Sequence, residues 1–473
     1  MKLPWKATLL AGLLTACAAV GPDYEQPELA TPATFGEGSA ESVEAEQIAQ
    51  WWRGFGDDQL SELVDDVLGQ NLDLASAVER VEIARASYGI AIADFYPQVG
   101  SAATYGRGRQ LPFNPTTDQY TVGLNASWEL DLFGRIRRSA QSALASFEAQ
   151  IEDYHGVQLA LVVETVSTYL RALSLAERLG IAAQNVESQE KSLDIAELRF
   201  GAGMANGLDP AQAKVNLHST QASVPALRFE LTRTLHRLSV LTAREPRALL
   251  EQLSTDVPLP EIPGDILVGI PADLLRNRPD LRGLERKLEA QTARVGVATA
   301  ALYPSIRISG SWDWLAFEPE DLFEEEGGFG TIGPVVSLPL FTGGRLRSAI
   351  DAEEAALRQL HLQLHQQALV AQEEVENALV AVVNDRRRKQ LLSEAVVAAQ
   401  QSVDLVRELY TSGQSDFQNV LDAQRSQFSL QDQLAQAKLL VLLDLVDVYR
   451  SIGGGWADTV EAGSPATGGA IAE

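Results

Sequence analysis

The sequence predicts a mainly α-helical protein carrying a few membrane-type β-strands, and three observations support this fold class. From Arg345 to Ser412 there are 68 residues without a glycine or proline. Along that stretch Leu346, Ile350, Leu357, Leu360, Leu364, Ala371, Val375, Leu379 and Val382 recur at spacings of three, four or seven, the period of a helix with one apolar face. At 1.5 Å per residue an unbroken helix of this length runs about 100 Å, which suits a coiled coil or elongated bundle better than a compact domain. Short stretches elsewhere switch to a period of two. The chain also repeats its own plan at an offset near 210 residues.

The elements follow in order. Lys2 and Lys6 precede a compact apolar stretch, Ala7 to Ala16, too short to span a bilayer, which takes roughly 20 apolar residues. This is the pattern of an export signal. It ends in Leu14-Thr15-Ala16-Cys17, where small residues lead into the only cysteine of the chain. One cysteine excludes an intramolecular disulfide and any cysteine-based metal cluster. The ending resembles the bacterial lipobox, which implies acyl chains (palmitate among them) on Cys17. With no aspartate following (Ala18, Ala19), the analogy implies the outer rather than the inner membrane. No run of 18 apolar residues follows Cys17, so no transmembrane helix is expected.

Gln70-Asn71-Leu72-Asp73-Leu74 and Arg278-Pro279-Asp280-Leu281 each open a helical segment that closes on Tyr-Pro, at Tyr96-Pro97 and Tyr303-Pro304. That alignment, at an offset of 207, superposes Asp73 on Asp280, Gly89 on Gly296, Ala91 on Ala298 and Ala93 on Ala300. A period this long is too large for a solenoid and reads as duplication within one fold. The counterpart of the long second-half helix, Arg135 to Phe200, contains only Gly156 and Gly180 as weak points. A cryptic turn near Asn384-Asp385, splitting the second-half helix in two, is the alternative to a continuous one. The expected organisation is a signal peptide over 1–16, an N-terminal segment over 17–57 and a first repeat over 58–243 with its hairpin at about 99–133. A connector over 244–278, rich in proline, leads to a second repeat over 279–452 with its hairpin at about 305–341, then a tail over 453–473.

In the first hairpin Tyr120, Val122, Leu124, Ala126, Trp128 and Leu130 alternate with Thr121, Gly123, Asn125, Ser127 and Glu129. In the second, Ile306, Ile308, Gly310, Trp312 and Trp314 alternate with Arg307, Ser309, Ser311 and Asp313. The alternation is weaker over 331–341 and weaker still from Val99 to Tyr105. Alternation over 9–11 residues with aromatics near the ends is the transmembrane-strand pattern, although a half-buried strand of a soluble sheet alternates likewise. Four strands cannot close a barrel, and an open edge cannot sit in lipid. Membrane strands here therefore require a barrel shared among chains.

The formal charge is −26, from 38 basic and 64 acidic side chains. That balance argues against nucleic acid and against a polybasic grip on anionic lipid. Removing Lys2 and Lys6 with the signal leaves about −28 by the same count, which would favour cationic or neutral solutes if the excess faced a lumen. Glu318, Glu320, Asp321, Glu324, Glu325 and Glu326 cluster between the second pair of strands. Such a loop either stays solvated and resists aggregation or, being rich in hard oxygen donors, takes Ca²⁺ or Mg²⁺. Catalytic readings are weak. His361 and His365 have a chelating spacing, but Leu362 and Gln363 replace the metalloprotease carboxylate. Gly453-Gly454-Gly455 follows a helix, not a strand, and reads as helix termination. Ser309-Gly310-Ser311 lacks a nucleophile-elbow frame. No enzyme, cofactor or resident metal is expected.

In order along the chain, Val20-Gly21-Pro22-Asp23-Tyr24 with Pro27, Trp51-Trp52, Phe55 and Asp58 resemble the outer membrane factor family, the TolC/OprM/NodT type. So do Ser127-Trp128-Glu129-Leu130-Asp131-Leu132-Phe133-Gly134-Arg135, Leu338-Pro339-Leu340-Phe341, Val420-Leu421-Asp422-Ala423-Gln424-Arg425 and Gly453-Gly454-Gly455-Trp456. The resemblance implies a homotrimer in which each chain gives four strands to a shared 12-stranded β-barrel. The long helices would form an α-barrel tunnel across the periplasm. It further implies a lipid-anchored outer membrane channel that docks on a periplasmic adaptor (membrane fusion) protein and an inner-membrane pump of the RND type. Such a channel exports drugs or other small molecules and contributes to antibiotic resistance. A periplasmic coiled-coil scaffold or adhesin is the other class; it would share the lipobox and helices but need no alternating strands.

The resemblance also implies site residues. Gly203 and Gly413 would be the turns at the periplasmic tip, and Asp422, with Gln418 and Asn419, would line a constriction there. Some relatives carry a second aspartate where this chain has Asn419, so a double acidic ring is not expected. Arg425 matches an arginine that pairs with an acid on the neighbouring coiled coil, with Asp209 its candidate partner. An i,i+3 surface pair between Asp422 and Arg425, weak and solvated, is the alternative role for both.

Overall fold

The computed structural model describes residues 19–28, 48–108, 116–250, 253, 257–260, 276–324 and 327–456. Cys17, Glu325, Glu326 and the signal segment lie outside the described residues. Among those described, the α-helices are α1 (Asp58–Gln70), α2 (Leu72–Ala93), α3 (Arg135–Gly201), α4 (Leu208–Leu241), α5 (Pro279–Ala300), α6 (Arg345–Thr411) and α7 (Phe417–Ser451). The strands are β1 (Gln98–Gly108), β2 (Thr117–Leu130), β3 (Ser305–Ala316) and β4 (Gly328–Ser337). The helices and strands recur in matching order in the two halves, as the duplication requires. The chain divides into two compact units, one of Met1–Leu29, Val78–Asp153 and Asp280–Gln367, the other of Ala30–Ala77, Tyr154–Pro279 and Ala368–Glu473.

Both long helices are continuous, at 67 residues each. No turn forms at Asn384-Asp385. Asn384 instead donates its side-chain amide back to the Val380 carbonyl at 2.8 Å, so its hydrogen-bonding capacity is spent along the helix rather than on a turn. On average, though not residue by residue, one 18-residue window of α3 is apolar enough to cross a membrane, with mean hydropathy 1.4. Of that window 56% is buried against the rest of the chain, as in a core helix.

In the first unit the strands form one antiparallel sheet in the order β1-β2-β3-β4. Its register keeps like with like. Leu124 pairs with Ser101 on one side and Trp312 on the other, Val122 with Ala103 and Trp314, Trp128 with Ile308. The opposite face pairs Asn125 with Gly100 and Ser311, Ser127 with Ser309, and Glu129 with Arg307. A shift of one residue would mix the two faces. The apolar face is open: Val99, Tyr105, Leu124, Trp312, Ile332 and Val336 are exposed. Aromatic side chains mark its two ends. Near one end Tyr105 and Tyr120 meet as a tilted pair and Trp312, Trp314 and Phe323 pack edge-on with one another, while at the other the Trp128 indole donates to the Phe95 carbonyl at 2.9 Å. Tyr120 to Trp128 covers about 26 Å of strand at 3.3 Å per residue, and tilted strands of that reach match the roughly 25 Å apolar band of a membrane barrel. β1 and β4 each keep one unpaired edge.

An N-terminal strap closes this unit. Val20 N–H donates to the Phe133 carbonyl at 3.1 Å, and the buried Arg138 of α3 donates to the Val20 and Gly21 carbonyls and to Asp23. Gly21, at φ +92°, lies so close to Gly296 of α5 that a Cβ would sit 2.5 Å from the Gly296 Cα. Only glycine fits both the conformation and the approach. Farther along, Gln26 donates to Glu285 of α5.

The second unit is built on a conventional core. Trp51, Trp52 and Phe55 form a buried aromatic knot, and Trp51 stacks on Tyr449 with ring centroids 5.0 Å apart. Asp57 caps α1 by accepting from Leu60 N–H at 3.0 Å. Its second oxygen accepts from the hydroxyl of Tyr169, a fully buried residue of α3, at 2.8 Å. The glycine run ends α7 as expected, with Gly453 and Gly454 N–H donating to the Arg450 and Tyr449 carbonyls. Side-chain bonds fix the order of the helices. α3 binds α4 through Arg237–Glu164 and Lys214–Glu197 and α7 through Arg178–Asp432 and Lys438–Glu177. α7 binds α6 through Gln427 and Gln400. Away from the tip the order is α4, α3, α7, α6, with α4 and α6 at the edges.

Candidate gate at the helical tip

Two turns reverse the helix pairs at one end of the second unit, and they share one backbone device. After α3, Gly203 N–H donates to the Phe200 carbonyl and Met204 N–H to the Arg199 carbonyl; after α6, Gly413 and Gln414 do the same to Tyr410 and Leu409. Gly203 and Gly413 sit at φ +73° and +79°, left-handed conformations that glycine adopts without strain.

Side chains around the turns tie the four helix ends together. Phe417 opens α7 and packs against Tyr410 as a tilted pair with ring centroids 5.0 Å apart, and with Ala196, Ala213, Val420 and Leu421 they form a small buried core contributed by four helices. Arg199 spans from α3 to the end of α6, donating to the Tyr410 and Thr411 carbonyls with its guanidinium 4.7 Å from the centre of the Tyr410 ring. The Tyr410 hydroxyl donates to Asp209 Oδ2 at 3.0 Å. Burial, and then the Asp209 carboxylate, push the Tyr410 phenol up to about 12, so the hydroxyl keeps its proton and stays a donor at physiological pH.

Gln418, Asn419, Asp422 and Arg425 lie together on the exposed side of α7, opposite the buried Phe417, Val420, Leu421 and Gln424. Gln418 donates to Asp422 at 3.0 Å and Asn419 to Ser415 at 3.0 Å. Arg425 donates to Asn216 of α4 at 3.1 Å and stands 4.0 Å from Asp422. Within one chain Arg425 and Asp209 are not brought together: Asp209 is held by Tyr410. Sequence reasoning missed Arg199, Tyr410 and Phe417. One signal was present, because at the offset of 210 Tyr410 falls on Phe200, an aromatic three residues before each turn glycine.

Of the acidic loop, Glu318, Glu320, Asp321 and Glu324 are exposed between β3 and β4. Among the described residues no three His, Cys, Asp or Glu side chains gather as a metal site. His361 and His365 lie exposed on α6.

The sheet of the first unit presents an open apolar face, and the helices of the second unit end in a tip that exposes Gln418, Asn419 and Asp422. Residues 63–244 and 270–454 match the outer membrane efflux protein family, and the chain belongs to it. It is 33% identical to Nodulation protein T of Rhizobium leguminosarum bv. trifolii over 465 residues, covering 95% of this chain and 97% of that protein. It is 31% identical to the pyoverdine export outer membrane protein OpmQ of Pseudomonas aeruginosa, covering 94% and 96%. Among solved structures, the outer-membrane channel OprN matches with TM-score 0.85 and 34% identity over 92% of this chain and 99% of that one. The open-state MtrE channel of Neisseria gonorrhoeae matches with TM-score 0.84 and 27% identity over 93% and 99%. The protein is an outer membrane channel of an efflux system, and it is not an enzyme.

Proposed function

We propose that the channel works as a homotrimer whose three sheets close a 12-stranded barrel, and that it serves as the exit duct of a tripartite pump with a periplasmic adaptor and an inner-membrane RND-type transporter. The observation that carries this reading is the four-stranded sheet with an exposed apolar face and unpaired edges at β1 and β4. Such edges are intolerable in lipid unless the sheet closes, and an even number of antiparallel strands per chain lets β4 of one copy meet β1 of the next in the same sense. Cys17 is the lipid-anchoring residue; the docked strap supports this by holding Ala19, two residues on, against Gly134 at the sheet–helix junction. The segments divide as signal (1–16), lipidated N-terminal segment (17–57), two repeats (58–243 and 279–452) joined by a connector (244–278), and tail (453–473). The cargo is small molecules: relatives are named for export of pyoverdine, solvents and cations.

The gate lies at the tip. Asp422, Asn419 and Gln418 of three copies would narrow the lumen, and Arg425 would pair with Asp209 of the neighbouring copy. Opening swings the α6–α7 tip outward, breaking side-chain contacts and no covalent bond. Purified protein in planar bilayers tests both levels. Wild-type channels should show small, discrete conductance steps, and Asp422→Ala with Asp209→Ala should raise the conductance several-fold. No channel at all would overturn the duct, whereas unchanged conductance in the double variant would overturn only the gate.

A further inference from the structure

A groove of about 790 Å³ opens between α2, α3 and α5 in the first unit, large enough for a drug-sized solute. Its lining runs against the charge of the chain. Three cations line it, Arg80 of α2 with Lys287 and Arg294 of α5, and among the described residues Glu353 is the one carboxylate in the lining. Glu353 already accepts from Gln291 at 2.5 Å, and Lys287 is engaged by Asp153 at 3.2 Å. The two guanidiniums lack such partners. Arg294 donates to the neutral Ser142 hydroxyl at 3.3 Å and to no carboxylate among the described residues. Arg80 is exposed and makes no hydrogen bond or ion pair among the described residues. Arg85, farther along α2 and outside the groove, is by contrast paired with Glu82 at 2.8 Å.

Beside the cations the lining is apolar, with Ile83 and Ala84 on α2 and Val297 and Ala298 on α5, while Ser139 and Ser146 of α3 add hydroxyls. The duplication shows in the arrangement: at the offset of 207 Arg80 falls on Lys287 and Ser87 on Arg294, so both repeats present the same helix face to one groove. The groove also has a definite side. Lys287, Arg294 and Ala298 follow one another at seven and four residues, a single line along α5. The strap touches α5 at Glu285 and Gly296. Each of these stands two residues from a member of that line, about 200° around the helix and so on its opposite side.

We propose that this groove binds organic anions, with a carboxylate or phosphate head held by Arg80 and Arg294 and an apolar body laid on Ile83, Ala84 and Val297. This assigns a solute class to the duct proposed above and rests on that reading: the strap that leads to Cys17 marks the membrane-anchored side of the helices, which leaves the groove on the lumen side. Guanidinium forks match carboxylate and phosphate oxygens in pairs, and an arginine with no carboxylate of its own gives up no ion pair to bind one. The charge of −26 on the whole chain is no obstacle. At physiological salt, fields of exposed charges fade over about 8 Å, so the cations in the lining set the local preference.

Isothermal titration of the full-length protein in a non-ionic detergent tests the site with naphthoate, an apolar body carrying one carboxylate, against uncharged naphthamide. Naphthoate should bind saturably and naphthamide only as it partitions into micelles. Arg80→Gln with Arg294→Gln should weaken naphthoate at least about tenfold, the loss expected for charge-assisted hydrogen bonds, without moving the melting temperature. Arg80→Lys with Arg294→Lys should keep part of the binding, and Arg85→Gln all of it. Equal binding of naphthoate and naphthamide, or wild-type affinity in the double Gln variant, overturns the site. Native mass spectrometry separates the sources of the anionic head. A phospholipid-mass adduct on the wild type that the double Gln variant lacks assigns the head to a lipid and overturns the lumen placement, whereas a bare wild type that binds naphthoate supports a solute. None of these readings uses conductance, so a failed site leaves the duct standing, and a site that binds in a protein forming no channel in bilayers overturns the duct alone.

Discussion

The Gly203 and Gly413 turns have the same backbone and opposite surroundings. Around Gly413 the flanking aromatics are buried, Tyr410 at 4% and Phe417 at 2% exposure, whereas around Gly203 Phe200 is 50% and Met204 63% exposed. At the repeat offset Phe200 corresponds to Tyr410 and Gly207 to Phe417. Duplication thus preserved the part that local chemistry dictates, a helix reversed through a left-handed glycine. It released the part that depends on distant neighbours. The Gly413 side supplies the buried aromatics, while the Gly203 side supplies their polar partners Arg199 and Asp209 and leaves its own apolar residues exposed.

The comparison can be broken most directly through its aromatic pair. Phe417→Ala should cost the tip about 3–5 kcal/mol and produce early, local hydrogen exchange near residues 410–421, while Phe200→Ala should change exchange there little. Equal effects would mean that Phe200 supports the tip as much as Phe417 does. Tyr410→Phe probes the wiring alone and should cost about 1–1.5 kcal/mol for the lost hydrogen bond to Asp209. The sign of its pH dependence is fixed. A phenol raised to about 12 in the folded state stabilises fully below its ordinary value of 10, and that contribution is lost as pH rises from 10 through 12. Tip exchange in the wild type should therefore accelerate above pH 10 by more than in Tyr410→Phe. Smaller still, Gly413→Ala and Gly203→Ala should each destabilise by about 1 kcal/mol, and nearly equally, because the backbone is the shared part. A large inequality would show that side-chain latching strains one turn.

A separate check concerns the shaft above the latched turn. Burial and the facing Asp385 push the Asp444 carboxyl up to about 7. The folded state therefore holds a proton that the unfolded chain gives up at an ordinary carboxyl pKa, and stability falls as pH rises between about 4 and 7. Asp444→Asn should raise the melting temperature by several degrees at pH 8 and hardly at all at pH 4, read by differential scanning fluorimetry.

How much of this was legible in the sequence follows the same division. The 68 residues without glycine or proline became the continuous α6, because helix propagation is local and nothing in that stretch interrupts it. The alternation of β2 and β3 survived in the register, since a half-buried strand must keep its period. β4 read weakly because Phe329 and Val335 lie on the polar-residue face, opposite Asp313 and Arg307. The tip turns were readable from their glycines, while the Tyr410–Asp209 latch joins residues 201 apart and leaves no local trace.

The strap at the N-terminus ties down the chain in an unusual place. Arg138, which grips it, belongs to the first repeat, and Gly296, which it presses on, to the second. Both halves of the binding surface exist only once α3 and α5 have come together, so residues made first are seated last. During biogenesis the strap is a record of completion: a nascent channel with one repeat folded leaves Val20 to Asp23 free to be drawn into a protease cleft, and a finished one pins their backbone at the surface through Phe133 and Arg138. Arg138→Ala should erase that distinction, leaving a fully folded channel that is still cut near Gly21.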